Sequence, residues 1–227
     1  MNRFRILGAL FVALIALSAV ASAASAAETP EYLPASGTFP QLAKEISLKP
    51  ETKATFEIKG NALKVVCNKV ELGKGKVEFA NAKGGPFDIL FLECVSSGQA
   101  CTGLTDTTVG SILVTGTTDL RFSNKEPLTA VTALLLNEAH FECAGLLISV
   151  RGCVAGTINP LKTATSTFTQ IFTGPKGEQS ITSIFNAAGT AKEPCVMEAE
   201  FNGNPFALAS ENASGSIIAK ENATLDD

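Results

Sequence analysis

Short apolar runs, bounded by glycine, serine, threonine or asparagine, recur about every ten residues from position 54 onward, and this spacing constrains the fold more than any other feature. The runs are Ala54–Ile58, Ala62–Cys67, Gly75–Phe79, Phe87–Cys94, Ser111–Thr115, Thr118–Phe122, Thr129–Leu136 and Ala139–Cys143. They continue as Leu146–Arg151, Thr165–Phe172, Ser180–Phe185, Val196–Phe201, Phe206–Ala209 and Gly215–Lys220. Runs of this length suit strands, whereas a helix needs at least ~10–12 residues. The spacing therefore predicts an all-β fold, an antiparallel sandwich or barrel-like domain, rather than βαβ units. Gly60-Asn61 is expected to form a tight hairpin turn between the first two strands. One run keeps two readings: the Ala-Leu-Leu-Leu stretch of Thr129–Glu138 also fits one or two turns of helix.

Side-chain parity gives the strands faces. Leu63, Val65 and Cys67 share one face, Leu90, Leu92 and Cys94 share another, and Phe141 and Cys143 lie opposite Glu142. These three cysteines are thus expected on core-facing sides. Cys153 departs from the pattern, because it shares parity with Ser149 and Arg151, although Gly152 is a place where the register can break.

The chain has six cysteines, Cys67, Cys94, Cys101, Cys143, Cys153 and Cys195. An even count in an exported chain reads as three disulfides. Zinc sites prefer close pairs such as C-x2-C. Here the nearest pairs, Cys94/Cys101 and Cys143/Cys153, have six and nine residues between them, and the one histidine is His140. Six cysteines allow fifteen connectivities. Pairing in chain order (Cys67–Cys94, Cys101–Cys143, Cys153–Cys195) closes medium loops worth roughly 3.5 to 4 kcal/mol each on the chain-entropy model. The competing set joins Cys94–Cys101 and Cys143–Cys153 and leaves Cys67–Cys195.

Export is read from the N-terminus. Arg3 and Arg5 precede the apolar run Ile6–Leu17, and the small-residue stretch Ser18–Ala27 offers Ala21-Ser22-Ala23 and Ala24-Ser25-Ala26 as cleavage patterns. This is the order of a secretory signal peptide, and its apolar core of about a dozen residues is short of the ~20 that span a bilayer. Residues 1–26 are therefore expected to be a signal peptide and 27–227 a single all-β domain whose polar tail, Glu221–Asp227, frays. The expected location is extracellular or at the cell surface, with no stable membrane insertion after cleavage. Removing Arg3 and Arg5 makes the formal charge of −4 more negative by two. Such a chain lacks the basic footprint of a nucleic-acid binder.

Catalytic constellations lack their parts. His140 has no partnered serine in a G-x-S-x-G or S-x-x-K motif. Fully paired cysteines leave no nucleophilic thiol. Paired carboxylates carry no local signature; Asp88, Glu93 and Glu142 flank or sit within apolar strands and are the nearest candidates, and most carboxylates in such strands are solvent-facing members of an alternating pattern. Asp106 and Asp119 are isolated, so no D-x-D-x-D-G calcium loop is present. No phosphate-binding glycine loop appears. Sugar platforms favour exposed Trp or Tyr, and the chain has no Trp and a single Tyr, Tyr32, so its 14 phenylalanines read as core. The same shortage argues against the aromatic girdles of an outer-membrane barrel.

Several short motifs recur together: Thr55-Phe56-Glu57, Val65-Val66-Cys67, Phe91-Leu92-Glu93-Cys94, Cys101, Phe141-Glu142-Cys143, Val150-Arg151-Gly152, and Glu200-Phe201-Asn202-Gly203-Asn204-Pro205-Phe206. In this order the chain resembles a group of secreted, β-rich proteins of unknown function from high-GC Gram-positive soil bacteria. The resemblance implies four shared cysteines, Cys67, Cys94, Cys101 and Cys143. It makes Cys153 and Cys195 an added pair, which favours chain-order connectivity. It carries no catalytic residues. The expectation is a non-catalytic secreted β protein with a structural or binding role, no cofactor and no metal site, whose partner is an extracellular or cell-envelope ligand or protein. The alternative is a carbohydrate-active enzyme or carbohydrate-binding module on a β-sandwich.

Overall fold

A computed structural model describes residues 29–34, 46–72, 83–105 and 108–226. The signal-peptide segment, the expected strand Gly75–Phe79 and Asp106 lie outside the described residues. The strands are β1 (Glu31–Pro34), β2 (Ile46–Pro50), β3 (Ala54–Ile58), β4 (Lys64–Leu72), β5 (Gly84–Ser96), β6 (Gln99–Gly103) and β7 (Ile112–Lys125). They continue with β8 (Leu128–Cys143), β9 (Leu146–Asn159), β10 (Thr165–Phe172), β11 (Ser183–Phe185), β12 (Lys192–Pro194), β13 (Met197–Phe201) and β14 (Ala207–Asp226). Among the described residues no helix is long and apolar enough to cross a membrane.

All pairings are antiparallel, and they close on themselves. β14 pairs β3, followed in turn by β4, β5, β7, β8, β9 and β10, and β10 pairs back with β14. The result is a barrel with eight wall positions in chain order. Three positions are each shared by more than one segment. β2 and β3 lie end to end along β14. β6 and β7 both bridge β5 and β8. β10 and β13 both bridge β9 and β14. The split between β10 and β13 is filled by the insertion 173–196, which carries the small β11–β12 hairpin.

Period-2 alternation sorts the wall into an apolar inside and a mixed outside. Two clusters fill the interior. One, around Ile58, Val65, Phe87, Phe141, Ile148 and Met197, occupies one end. The other, around Tyr32, Leu120, Phe122, Ile158, Phe168 and Leu225, plugs the far end, where the Tyr32 and Phe168 rings meet edge to face at 5.2 Å. A third cluster, with Val131, Ala133, Cys153, Ala155, Ile184 and Cys195, lies outside the barrel beneath the insertion.

The disulfides follow chain order: Cys67–Cys94 joins β4 to β5, Cys101–Cys143 joins β6 to β8, and Cys153–Cys195 fastens the insertion to β9. Cys153 does point away from the barrel interior, as its parity with Arg151 implies, and is buried there because the insertion covers it.

Several expectations change. Leu90 and Leu92 do not share the core face with Cys94: they oppose Glu71 and Lys69 of β4, while Phe87, Ile89 and Phe91 point inward. The parity switches at Glu93, whose positive φ of 54° interrupts the alternation and returns Cys94 to the inside. Thr129–Glu138 is strand within β8, and an extra residue between Leu136 and Ala139 keeps Leu136, Ala139 and Phe141 all facing inward. The β3–β4 turn spans residues 59–63 rather than Gly60-Asn61 alone, because β4 starts at Lys64; Gly60 takes the positive φ of 73° there. The tail is not frayed: β14 continues through Asp226, pairs β1, and buries Ala223 and Leu225.

Candidate functional site

Inward-facing residues of β14 are small: Ala207, Ala209, Ala213 and Gly215, with Glu211 in their midst. Across the interior stand Phe87, Ile89 and Phe91 of β5, which line the same space. Two chambers result, with cavity volumes of about 90 Å³ and about 70 Å³. An eight-stranded barrel is just wide enough to be filled by side chains or to hold one small ligand, and this one leaves space.

The first chamber is lined by Val70, Phe172, Ala213 and Ile217, with Thr118, Thr132, Gln170, Ser214 and Ser216 among its polar members. Gln170 Nε2 donates to Thr132 Oγ1 at 2.6 Å, so these two are engaged with each other. Exposed Lys49, Pro50 and Thr52 also line it and form its surface-facing rim. The second chamber is lined by Phe56, Val65, Val114, Phe141, Val150 and Met197, with the Phe56 and Phe141 rings edge to face at 6.0 Å. Five residues line both chambers: Phe87, Ile89, Phe91, Leu134 and Glu211. They form a waist, and Glu211 is its one ionisable member.

Local sequence explains why the carboxyl points inward. Glu211 pairs with Phe56 of β3 on one flank. On the other flank the ladder lapses between the pairs Met197↔Ala209 and Phe172↔Ala213, where the insertion departs. The outward-facing neighbours clamp this gap. Asn212 accepts from the Gly174 N–H at 2.8 Å and donates to its carbonyl at 2.9 Å, and the Ser210 hydroxyl donates to the same carbonyl. With Ser210 and Asn212 fixed outward, alternation turns Glu211 toward the waist.

Among the described residues no hydrogen bond or ion pair reaches the Glu211 side chain. Glu211 is half-buried and lines both chambers. Removal from bulk water pushes its carboxyl up to about 7, because an apolar surrounding disfavours the charged form. An ionisable group so perturbed, aimed into an apolar cavity, marks a binding site on physical grounds.

The carboxylates singled out from sequence do not converge here. Glu93 is exposed and paired with Lys69, which holds its carboxyl below the usual range. Glu142 is exposed, and Asp88 opposes Thr115 on the outer face. His140 is exposed too, its Nδ1 2.9 Å from Ser149 Oγ. Tyr32 is buried in the far plug, which raises its pKa. Among the described residues no group of three or more His, Cys, Asp or Glu is placed to hold a metal ion. Asp119 meets the buried Arg121 at 2.6 Å on the outer face of β7, and desolvation raises its carboxyl despite that partner. Glu211 was missed because Ser210–Ser214 reads as a polar loop. The available signal was its parity, a single acid in the series Ala207, Ala209, Ala213, Gly215, Ile217.

Comparison with protein-family models, with curated proteins and with solved structures finds no match for this chain.

Proposed function

We propose that this chain is a non-catalytic binding protein that carries an apolar small molecule inside its barrel, outside the cell or at its surface. The observation that supports this best is the pair of apolar chambers meeting at an unpartnered carboxyl. Three disulfides fit an oxidising compartment, and the resemblance to secreted β-rich proteins points the same way. The wall is apolar inside and mixed outside, the reverse of a bilayer-spanning barrel. A bound sugar would need many hydrogen-bond partners, and the chamber walls offer few, which sets the carbohydrate reading behind.

The test is a titration of the oxidised protein with N-phenylnaphthylamine, a neutral fluorophore that brightens on leaving water. Saturable enhancement is expected, with competition by aliphatic molecules. Ala213→Leu, which fills the first chamber from its wall, should weaken it. A flat titration with a correctly folded protein would defeat the proposal.

A further inference from the structure

Resting on that reading, we infer that the ligand is an elongated apolar amine with its nitrogen near the middle of the molecule, seated at Glu211 with one apolar arm in each chamber. The position of the nitrogen follows from the waist. Glu211 lines both chambers, and the residues it shares them with are Phe87, Ile89, Phe91 and Leu134. A molecule held by its end would leave one chamber empty. The two chambers are of similar size, about 90 and 70 Å³, so the two arms are of similar bulk.

The nitrogen itself follows from what the site lacks. An ionised carboxyl only accepts hydrogen bonds, and no described donor or cation reaches this one. The facing groups on the packed strands are largely apolar: Phe56 on β3, Phe87, Ile89 and Phe91 on β5, Leu134 on β8, Phe172 on β10 and Met197 on β13, while Thr118 of β7 also lines the first chamber and Thr132 and Gln170 are bonded to each other. Glu57 and Lys64 pair with each other outside, Asp88 faces outward, and Lys49 stands at the rim of the first chamber. A protonated amine supplies both the missing countercharge and the missing donor, in a charge-assisted bond that is strong away from water.

The test uses the oxidised protein and three competitors for N-phenylnaphthylamine. Dihexylamine carries a central nitrogen, dodecylamine is its isomer with a terminal nitrogen, and dihexyl ether is the neutral central counterpart. At about pH 8 dihexylamine should displace the fluorophore about tenfold or more tighter than either, the scale of a hydrogen bond to a charged group. The advantage over the ether should fall away by about pH 5, as Glu211 gains its proton. Glu211→Gln should remove it as well; should that variant fold poorly, the pH series on the native protein carries the same information. Fluorophore binding with equal displacement by all three, or with dodecylamine tightest, would overturn the central-amine inference and leave the binding reading standing. No fluorophore binding, and no shift in melting temperature with any competitor, would overturn both.

Discussion

Replacing Glu211 by glutamine should stabilise the protein, and more so as pH rises. Glutamine keeps the shape and polarity of the protonated side chain and removes only the ionisation. The carboxyl is pushed from its ordinary 4.5 to about 7 by burial. Because the folded-state value is raised, the folded protein holds this proton more tightly than the unfolded chain. The associated stability is present in full below about pH 4.5 and is lost as pH rises through about 7. At about 1.4 kcal/mol per pH unit the loss amounts to roughly 3 kcal/mol. For a chain of this size that is roughly 6 to 12 °C in Tm. The assay is chemical or thermal unfolding of both proteins from about pH 4 to pH 8. The quantity of interest is the difference between them. It cancels the carboxyls shared by both, including Glu57, Glu93 and Glu178, which lysines hold low. Glu211→Gln should gain relative to the native protein across that window and level off above it. A difference that stays constant with pH would refute the placement of Glu211 in an apolar waist, and a difference of opposite slope would mean that a cation holds it.

Filling the first chamber with Ala213→Leu should preserve stability or raise it by up to about 2 kcal/mol through added burial, read as an unchanged or higher melting temperature, while weakening fluorophore binding; a large loss of stability would mean that the space is not there. Gly116→Ala should destabilise by roughly 1–3 kcal/mol or more in a denaturant melt, because a Cβ there would stand 2.1 Å from the Leu135 carbonyl oxygen and 2.9 Å from the Phe87 ring. The double variant Cys153→Ala/Cys195→Ala, which opens a loop of sequence separation 42, should cost up to about 4 kcal/mol and expose the insertion to protease before the barrel. Asn212→Ala should cost about 1–3 kcal/mol by leaving the Gly174 peptide without its clamp, read as a shift in the denaturant midpoint.

Strand content and the presence of disulfides are legible in the sequence because each rests on local pattern, whereas which cysteine joins which does not, and chain order is favoured there only by the resemblance. Phe56, Val65, Phe87, Phe122 and Phe168 sit in runs whose period fixes them as strand, and close metal-type cysteine pairs are absent. What escapes local pattern is where alternation is interrupted. The positive φ at Glu93 reverses the faces of Leu90 and Leu92, and no residue type at that position announces it. β14 reads as two strands because Ser210, Asn212 and Ser214 look like a loop. In the fold these residues bond to Gly174 and Thr52 and leave the strand unbroken. Glu211 was hidden by the same misreading. Closure of the barrel depends on which distant segments meet along β14, and composition does not encode that.

The lapse in the ladder beside Glu211 bears on how anything gets in. A sheet closed into a ring has no free edge, so parting two of its strands ordinarily means rupturing a run of main-chain hydrogen bonds at once. Beside Ser210–Asn212 the wall is held on one flank by side-chain bonds to a single peptide, that of Gly174. Local opening is favoured where main-chain pairing is thin, and one such place lies alongside the waist. On the proposed carrier reading, the rate of loading and release should be set at these three bonds beside Glu211, and not by the stability of the barrel as a whole.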